Sequence, residues 1–381
     1  MGEKRAREAG IAVGHLPTGR DNAITDVEGV RVGHSTIIRG EGPLVVGEGP
    51  VRTGVTVVCP REGFTREDPV FAGSHRLNGN GEMTGLEWIR EAGALETPVA
   101  ITNTHSVGVV RDALVAAEFE QSTEEYWVLP VVAETYDGTL NDINGQHVKA
   151  NHLREALADA HGGPVTEGSV GGGTGMICHE FKGGIGTASR LTEEEGGWIV
   201  GALVQANYGR RHMLRVDGAP VGRVLTTERV PSPLEEGDSR PAGTGSIIVI
   251  LATDAPLLPT QCDRLAQRAS IGLGRMGGGC DDGSGDIFLA FATGNPGLPG
   301  SGLPDPPATI PLTTIPNEAM TPLFYAAAEA TEEAILNALL AAGTVTGRDG
   351  ITAHGLTPDL LLGALDEARS LCARQDNRRT T

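Results

Sequence analysis

The residues of this sequence that could do chemistry stand at the ends of apolar runs. Ser246 follows Gly-Thr-Gly and opens the hydrophobic stretch SIIVILAT; Glu134 and Tyr136 follow WVLPVVA; Asn207 follows LVQA; Ser284 and Asp286 lie in DDGSGDIFLAF. A serine hydroxyl fixed at the mouth of a strand is a candidate nucleophile for acyl transfer, weak until a neighbouring base takes its proton. A serine that merely starts a strand is equally ordinary, and the other five residues are types that caps and turns also use. What gives them a common meaning is their placement, since strand ends let rigid elements present side chains to a shared site.

Other chemistries find less support. The ten histidines include no HExxH, and no GxSxG elbow occurs at a strand-helix junction. His147 and His152 lie five apart on a predicted helix, a poor spacing for a shared ligand. The run GSVGGGTGMICHEFKGGIGTAS, residues 168–189, lacks both the GxxxxGK[ST] order and a ribose-binding acid after a GxGxxG turn. It reads better as backbone that lets strands or a substrate approach closely.

The elements that must position these residues are visible in the apolar pattern. Val55 to Val58, Val99 to Thr102, Trp127 to Ala133, Trp198 to Ala206, Ser246 to Thr253 and Ile287 to Ala292 read as strands. Most are apolar at both alternating positions, the pattern of strands covered on both faces, as in stacked sheets with outer helices. Leu258, Cys262, Leu265, Ala266 and Ala269 share one helix face, and a second helix is predicted from about Val148 to Ala160. Asn317 to Ala342 is rich in Ala, Leu and Glu, and Thr357-Pro358 supplies an N-cap followed by proline at the first helical position, so two helices close the chain. Residues 294–311 form a Pro/Gly connector too short to mark a domain boundary.

Composition narrows the partners. The 381 residues carry 30 Lys and Arg against 49 Asp and Glu, a net charge of −19, so the basic footprint of a nucleic-acid binder is missing. The same negative field favours a cationic small ligand such as a free amino group. There is no stretch of membrane-spanning length, and MGEKRAREAGIAVG has no continuous apolar core of a leader, which predicts a soluble, cytoplasmic protein. The cysteines, Cys59, Cys178, Cys262, Cys280 and Cys372, are scattered without CxxC spacing and suggest neither a disulfide framework nor a zinc site. Glycine is abundant at 55 residues, yet periodic apolar segments run along the whole chain, which argues against low-complexity disorder.

Eight stretches, taken in order, carry a resemblance. They are NAITDVEGVRVGH (22–34), LNGNGEMTG (77–85), PVVAETYDGTLNDINGQHV (130–148), GSVGGGTGM (168–176), VQANYGRR (204–211), GTGSIIVILATDAPLLP (243–259), GSGDIFLAF (283–291) and EEAILNAL (332–339). Together they resemble the DmpA-like self-processing serine aminopeptidases, the L-aminopeptidase/D-esterase and β-peptidyl aminopeptidase group of family S58. The resemblance implies one αββα sandwich, similar in layers to the N-terminal nucleophile hydrolases but different in connectivity. It also implies a precursor that cuts itself between Gly245 and Ser246, leaving residues 1–245 and 246–381.

The physical logic of that implication fits the residues. Cleavage would turn the Ser246 nitrogen from an amide into an α-amine with a reference pKa of about 7.7–8.0, able to accept the hydroxyl proton. Gly245, with Gly243 and Thr244, would shape the turn that lets the hydroxyl reach the preceding carbonyl. By the same resemblance, Asn207 would donate to the developing oxyanion, a contribution of about 3–4 kcal/mol in comparable hydrolases. Ser284 and Asp286 would form a polar network beside Ser246, Glu134 would hold the substrate's ammonium group, and Tyr136 would line the oxyanion or substrate region.

The activity so implied is removal of small N-terminal residues from short peptides, amides or esters through an acyl-enzyme on Ser246. It needs no metal or organic cofactor, no nucleic acid and no membrane, and relatives assemble as homo-oligomers of the processed pair. Two competing expectations are an acyltransferase similar to ornithine acetyltransferase, whose nucleophile is typically threonine, and an unprocessed scaffold without chemistry.

Overall fold

The computed structural model describes residues 5–121, 127–193, 197–234, 245–301 and 307–379. Gly243, Thr244, positions 302–306 of the connector and the side chain of Cys372 lie outside the described residues. The strands in chain order are β1 (Arg31–Arg39), β2 (Val51–Cys59), β3 (Val70–Arg76), β4 (Ala94–Leu95), β5 (Val99–Asn103), β6 (Val131–Thr135), β7 (Ile177–Cys178), β8 (Phe181–Lys182), β9 (Gly184–Leu191), β10 (Ile199–Asn207), β11 (Ser246–Thr253), β12 (Ile287–Ala292), β13 (Val345–Thr346) and β14 (Thr352–Ala353). The α-helices are α1 (Leu86–Ala92), α2 (Val107–Gln121), α3 (Ala150–Asp159), α4 (Pro259–Arg275), α5 (Thr321–Leu340) and α6 (Pro358–Arg379).

Two sheets carry the architecture. One has four strands in the order β1-β2-β5-β6, the other six in the order β4-β3-β12-β11-β10-β9. Pairing is antiparallel except between β5 and β6 and between β11 and β12, which run parallel. Period-two alternation explains why strands apolar on both faces were expected. In β11, Ile248, Ile250 and Ala252 join Val58, Ile101 and Ala133 of the other sheet in one core, whereas Ile247, Val249 and Leu251 pack with residues of α4 and α5 in a second. A third core puts Val55, Val57, Ala100 and Val132 against Val110, Leu114 and Leu153 of α2 and α3. The layers are therefore helix, sheet, sheet, helix: the αββα sandwich.

Several expectations need adjustment at their edges. The strand predicted from Trp127 begins instead at Val131, because Pro130 has no N–H for the ladder; Trp127 and Leu129 are exposed. Glu134 consequently sits inside β6 rather than after it. His147 precedes α3 rather than lying on it, and pairs through Nε2 with Asp142 at 2.8 Å. The strands β1, β3 and β9 are too rich in glycine and polar residues to show the apolar signal. In β9, a β-carbon at Gly186 would stand 2.0 Å from the carbonyl oxygen of Ala334, so glycine is what lets α5 lie directly on the sheet. Helix α4 starts as read: Pro259 occupies the first turn, and the Leu258 N–H donates to the Gln261 side chain at 3.0 Å. The Leu360 N–H likewise donates to the Thr357 hydroxyl, at 3.3 Å.

Among the described residues, no helix is long and apolar enough to cross a membrane. Cys59, Cys178 and Cys262 are buried free thiols, and burial pushes their pKa values up, to about 11 for Cys59 and about 12 for Cys178. Cys280 is exposed.

The tie between β9 and α5 is ionic as well as steric. Buried Arg190 donates to Glu333 at 2.6 Å and to Glu329 at 3.3 Å, while Asn22 and Arg7 also donate to Glu333, at 2.5 and 3.0 Å. Removing one partner of such a pair leaves an uncompensated buried charge, so Glu333→Ala should lower stability by roughly 3–5 kcal/mol, read as a fall in the urea unfolding midpoint.

Candidate active site

Strand register brings the serine and the asparagine together. β10 and β11 pair antiparallel with Asn207 directly opposite Ser246, and on such a pair the two side chains leave the same face with β-carbons about 4.5–5.5 Å apart. On the other side of β11, the parallel neighbour β12 is preceded by Ser284, Gly285 and Asp286. All four polar side chains are buried, with Ser246 at 5% and Asp286 at 0% exposure.

Each group has a defined partner. The Gly285 N–H donates to the Ser246 hydroxyl oxygen at 3.1 Å and lies 3.3 Å from the carbonyl oxygen of Gly245. Asp286 collects three donors: the Ser284 hydroxyl at 2.7 Å and the Ile247 N–H at 3.2 Å reach Oδ1, and the Asn78 amide reaches Oδ2 at 2.7 Å. Burial raises the Asp286 pKa, and the bonds from Ser284, Asn78 and Ile247 pull it back toward the ionised form. The carboxyl thereby fixes the first peptide of β11 from one side.

Asn207 is fixed at both ends of its amide. Its Oδ1 accepts the Ile177 N–H at 2.8 Å, and its Nδ2 donates to the Tyr136 carbonyl at 2.8 Å. A backbone N–H can meet only the oxygen, so the amide is oriented without ambiguity, and among the described residues one Nδ2 hydrogen has no acceptor. Gly245 immediately precedes β11. Its requirement is steric: a β-carbon there would stand 2.3 Å from the Asn207 carbonyl oxygen.

Glu134 comes from the opposite sheet. It pairs in register with Thr102 at the end of the parallel strands β5 and β6, is 3% exposed, accepts the Glu82 N–H at 3.0 Å on Oε1, and accepts the Thr104 hydroxyl on Oε2. Burial raises its pKa, opposed by the bonds from Thr104 and Glu82. A cavity of about 390 Å³ is lined by Asn80, Thr104, Glu134, Tyr136, Gly245, Ser246 and Gly283. It puts a buried carboxylate and a serine hydroxyl on the walls of one space. Tyr136 is 40% exposed, lines this cavity and gives its carbonyl to Asn207.

The seven described residues named for the site from the sequence therefore gather at one place, Ser246, Asn207, Ser284, Asp286, Gly245, Glu134 and Tyr136. Residue-by-residue reading missed those that hold them. Asn78, Glu82, Thr104, Ile177 and Gly285 act through bonds made across the chain, three of them through backbone groups that carry no residue signature. The stretch LNGNGEMTG did contain the signal, since the loop after β3 bonds Asp286 through Asn78 and Glu134 through Glu82, and so ties the two sheets at the cavity.

Comparison with known proteins points the same way. The model of peptidase family S58 matches residues 22–353. The beta-peptidyl aminopeptidase BapA of Sphingosinicella microcystinivorans is 50% identical over 376 residues, covering 97% of this chain and 93% of that protein. Among solved structures, a Burkholderia sp. beta-aminopeptidase is 59% identical with a TM-score of 0.88, covering 96% of this chain and 99% of the other. The L-aminopeptidase D-Ala-esterase/amidase of Ochrobactrum anthropi is 43% identical with a TM-score of 0.86, covering 95% and 98%, and is described as a variant of the Ntn hydrolase fold.

The donor count on Asp286 makes a specific prediction. In Asp286→Asn an NH₂ group must face either Asn78 or the Ser284 and Ile247 donors, leaving buried donors opposed. The variant should lose about 1–3 kcal/mol, measured by chemical denaturation.

Proposed function

The chain belongs to peptidase family S58 and is a serine aminopeptidase; from that premise we propose that Ser246 is both its self-cleavage point and its nucleophile. The observation that carries this reading is the single cavity shared by Ser246 and Glu134, with Asn207 locked beside the serine. In self-cleavage the Ser246 Oγ attacks the Gly245 carbonyl carbon, the C–N bond breaks, and the chain passes to the oxygen as an ester. Water then hydrolyses the ester, leaving a Gly245 carboxylate and a free α-amine on Ser246. The Gly285 N–H, close to both the Ser246 hydroxyl and the Gly245 carbonyl oxygen, supports this step by holding the attacking atom and polarising its target.

In turnover the α-amine takes the hydroxyl proton as Oγ attacks the substrate carbonyl, and returns it to the departing amine. The free Nδ2 hydrogen of Asn207 stabilises the oxyanion, while Ser284 and Asp286 hold the start of β11 in place. Water attacking the acyl-enzyme releases the acid and restores the serine. Glu134 binds the substrate's ammonium, which confines the reaction to N-terminal residues. Small N-terminal residues of short peptides, amides and esters are the substrates, β-amino residues included in view of the relatives named above. Cytoplasmic location and homo-oligomers of the processed pair belong to the same reading. Transfer to an amine acceptor is not favoured by the family match.

Intact-mass spectrometry with N-terminal sequencing tests the cleavage. Wild type should give two chains, the smaller beginning SIIVI, and Ser246→Ala one chain of 381 residues; an uncut wild type under native conditions overturns the mechanism. Glu134→Gln should raise KM for substrates with a free amine by about tenfold or more, the worth of a buried charge-assisted bond. An amine-bearing inhibitor should bind wild type more weakly as pH falls through the raised Glu134 pKa, since protonation removes the charge. That dependence should begin above the ordinary glutamate pKa of about 4.3 and vanish in Glu134→Gln.

A further inference from the structure

The glycine-rich run leaves one group unexplained: a lysine with no solvent exposure. Lys182, in β8, donates from Nζ to the carbonyl oxygens of Gly173 at 3.1 Å, Met176 at 2.8 Å and Gly183 at 2.7 Å. Three acceptors match the three N–H groups of an ammonium; a neutral amine has only two to give. Burial lowers the Lys182 pKa to about 7, opposed by Cys178 and then Asp137, and three charge-assisted bonds further favour the charged form.

One of those acceptors leads to the active site. The Met176 carbonyl and the Ile177 N–H are two ends of the same peptide group. Lys182 bonds the carbonyl end, and the amide end donates to Asn207 Oδ1. Drawing electron density toward the carbonyl makes the N–H a stronger donor, and that bond in turn polarises the Asn207 amide so that its Nδ2 hydrogens become stronger donors.

We propose that Lys182 is a positioning residue for the oxyanion donor, orienting and polarising Asn207 through the Met176–Ile177 peptide. This inference rests on the reading of Asn207 as the donor to the oxyanion. Lys182 touches neither substrate nor Ser246; it acts through two relays, and the Gly-rich run supplies the carbonyls that seat its charge.

The test compares four processed enzymes on an amino-acid p-nitroanilide: wild type, Lys182→Met, Asn207→Ala and the double variant, each normalised to titrated active sites. Lys182→Met should lower kcat about tenfold with KM changed less than about twofold, the pattern of an interaction made in the transition state. Asn207→Ala should lower kcat roughly 100- to 1000-fold, and adding Lys182→Met to it should cost nothing more. An unchanged kcat in Lys182→Met, or an equal loss in both backgrounds, overturns the role of Lys182 while leaving that of Asn207 intact. An unchanged kcat in Asn207→Ala overturns the oxyanion assignment and this inference with it.

If Lys182→Met does not fold, wild type alone decides. Lys4, Lys149 and Lys182 are the lysines of the sequence, so ¹⁵Nζ labelling resolves each. A protected ammonium signal from Lys182 at the pH of full activity supports the proposal, and a neutral-amine signal there overturns it.

Discussion

Everything at this site depends on β11 being held between two neighbours of opposite direction. The antiparallel partner β10 sets Asn207 opposite Ser246, and the parallel partner β12 delivers Ser284, Gly285 and Asp286 to the same end. A slip of one residue in either ladder would turn Ser246 from the inter-sheet side to the helix side, because side chains alternate with period two. Both faces of β11 are packed, Ile248 and Ile250 in one core and Ile247 and Val249 in another, so side-chain fit to two cores holds the strand in place. Packing energy spread over the whole strand thus fixes the position of one hydroxyl.

The two buried carboxyls show how similar burial can serve different ends. Asp286 receives donors from a hydroxyl, an amide and a backbone N–H, all belonging to the immediate scaffold. Glu134 receives two donors but also lines the cavity, so it keeps acceptor capacity toward a ligand. The first is a clamp and the second a receptor, and the difference lies in what surrounds the oxygens rather than in the residue type.

The sequence was most informative where burial was most uniform. β11 and β12 are bounded by the residues their apolar runs predict, and the residues named at strand ends do converge. The family resemblance assigned roles that residue types alone left open, since a serine before a strand or an acid after a glycine has many uses. What stayed hidden was of two kinds. β1, β3 and β9 owe their burial to glycine and to polar networks, which erase the hydrophobic alternation. The groups that orient Asn207 and Ser246 are largely backbone N–H groups and carbonyls, identical at every residue and distinguished only by where the fold places them.

The position of β11 has one more consequence. The peptide bond between Gly245 and Ser246 lies beside β10, and the strands on either side of β11 come from opposite sides of that bond: β10 before it, β12 after it. Severing the bond would leave one sheet woven from two molecules, with β3, β4, β9 and β10 contributed by one and β11 and β12 by the other. Neither fragment could complete that sheet, and the two cores on its faces draw residues from both sides of the bond. The cut protein would hold together without a chain linking its halves, yet its assembly would no longer be written in a single polymer: the joined precursor finds this pairing as a one-molecule event, whereas separated fragments would have to meet in solution. The fold would then act as a record of a connection that no longer exists.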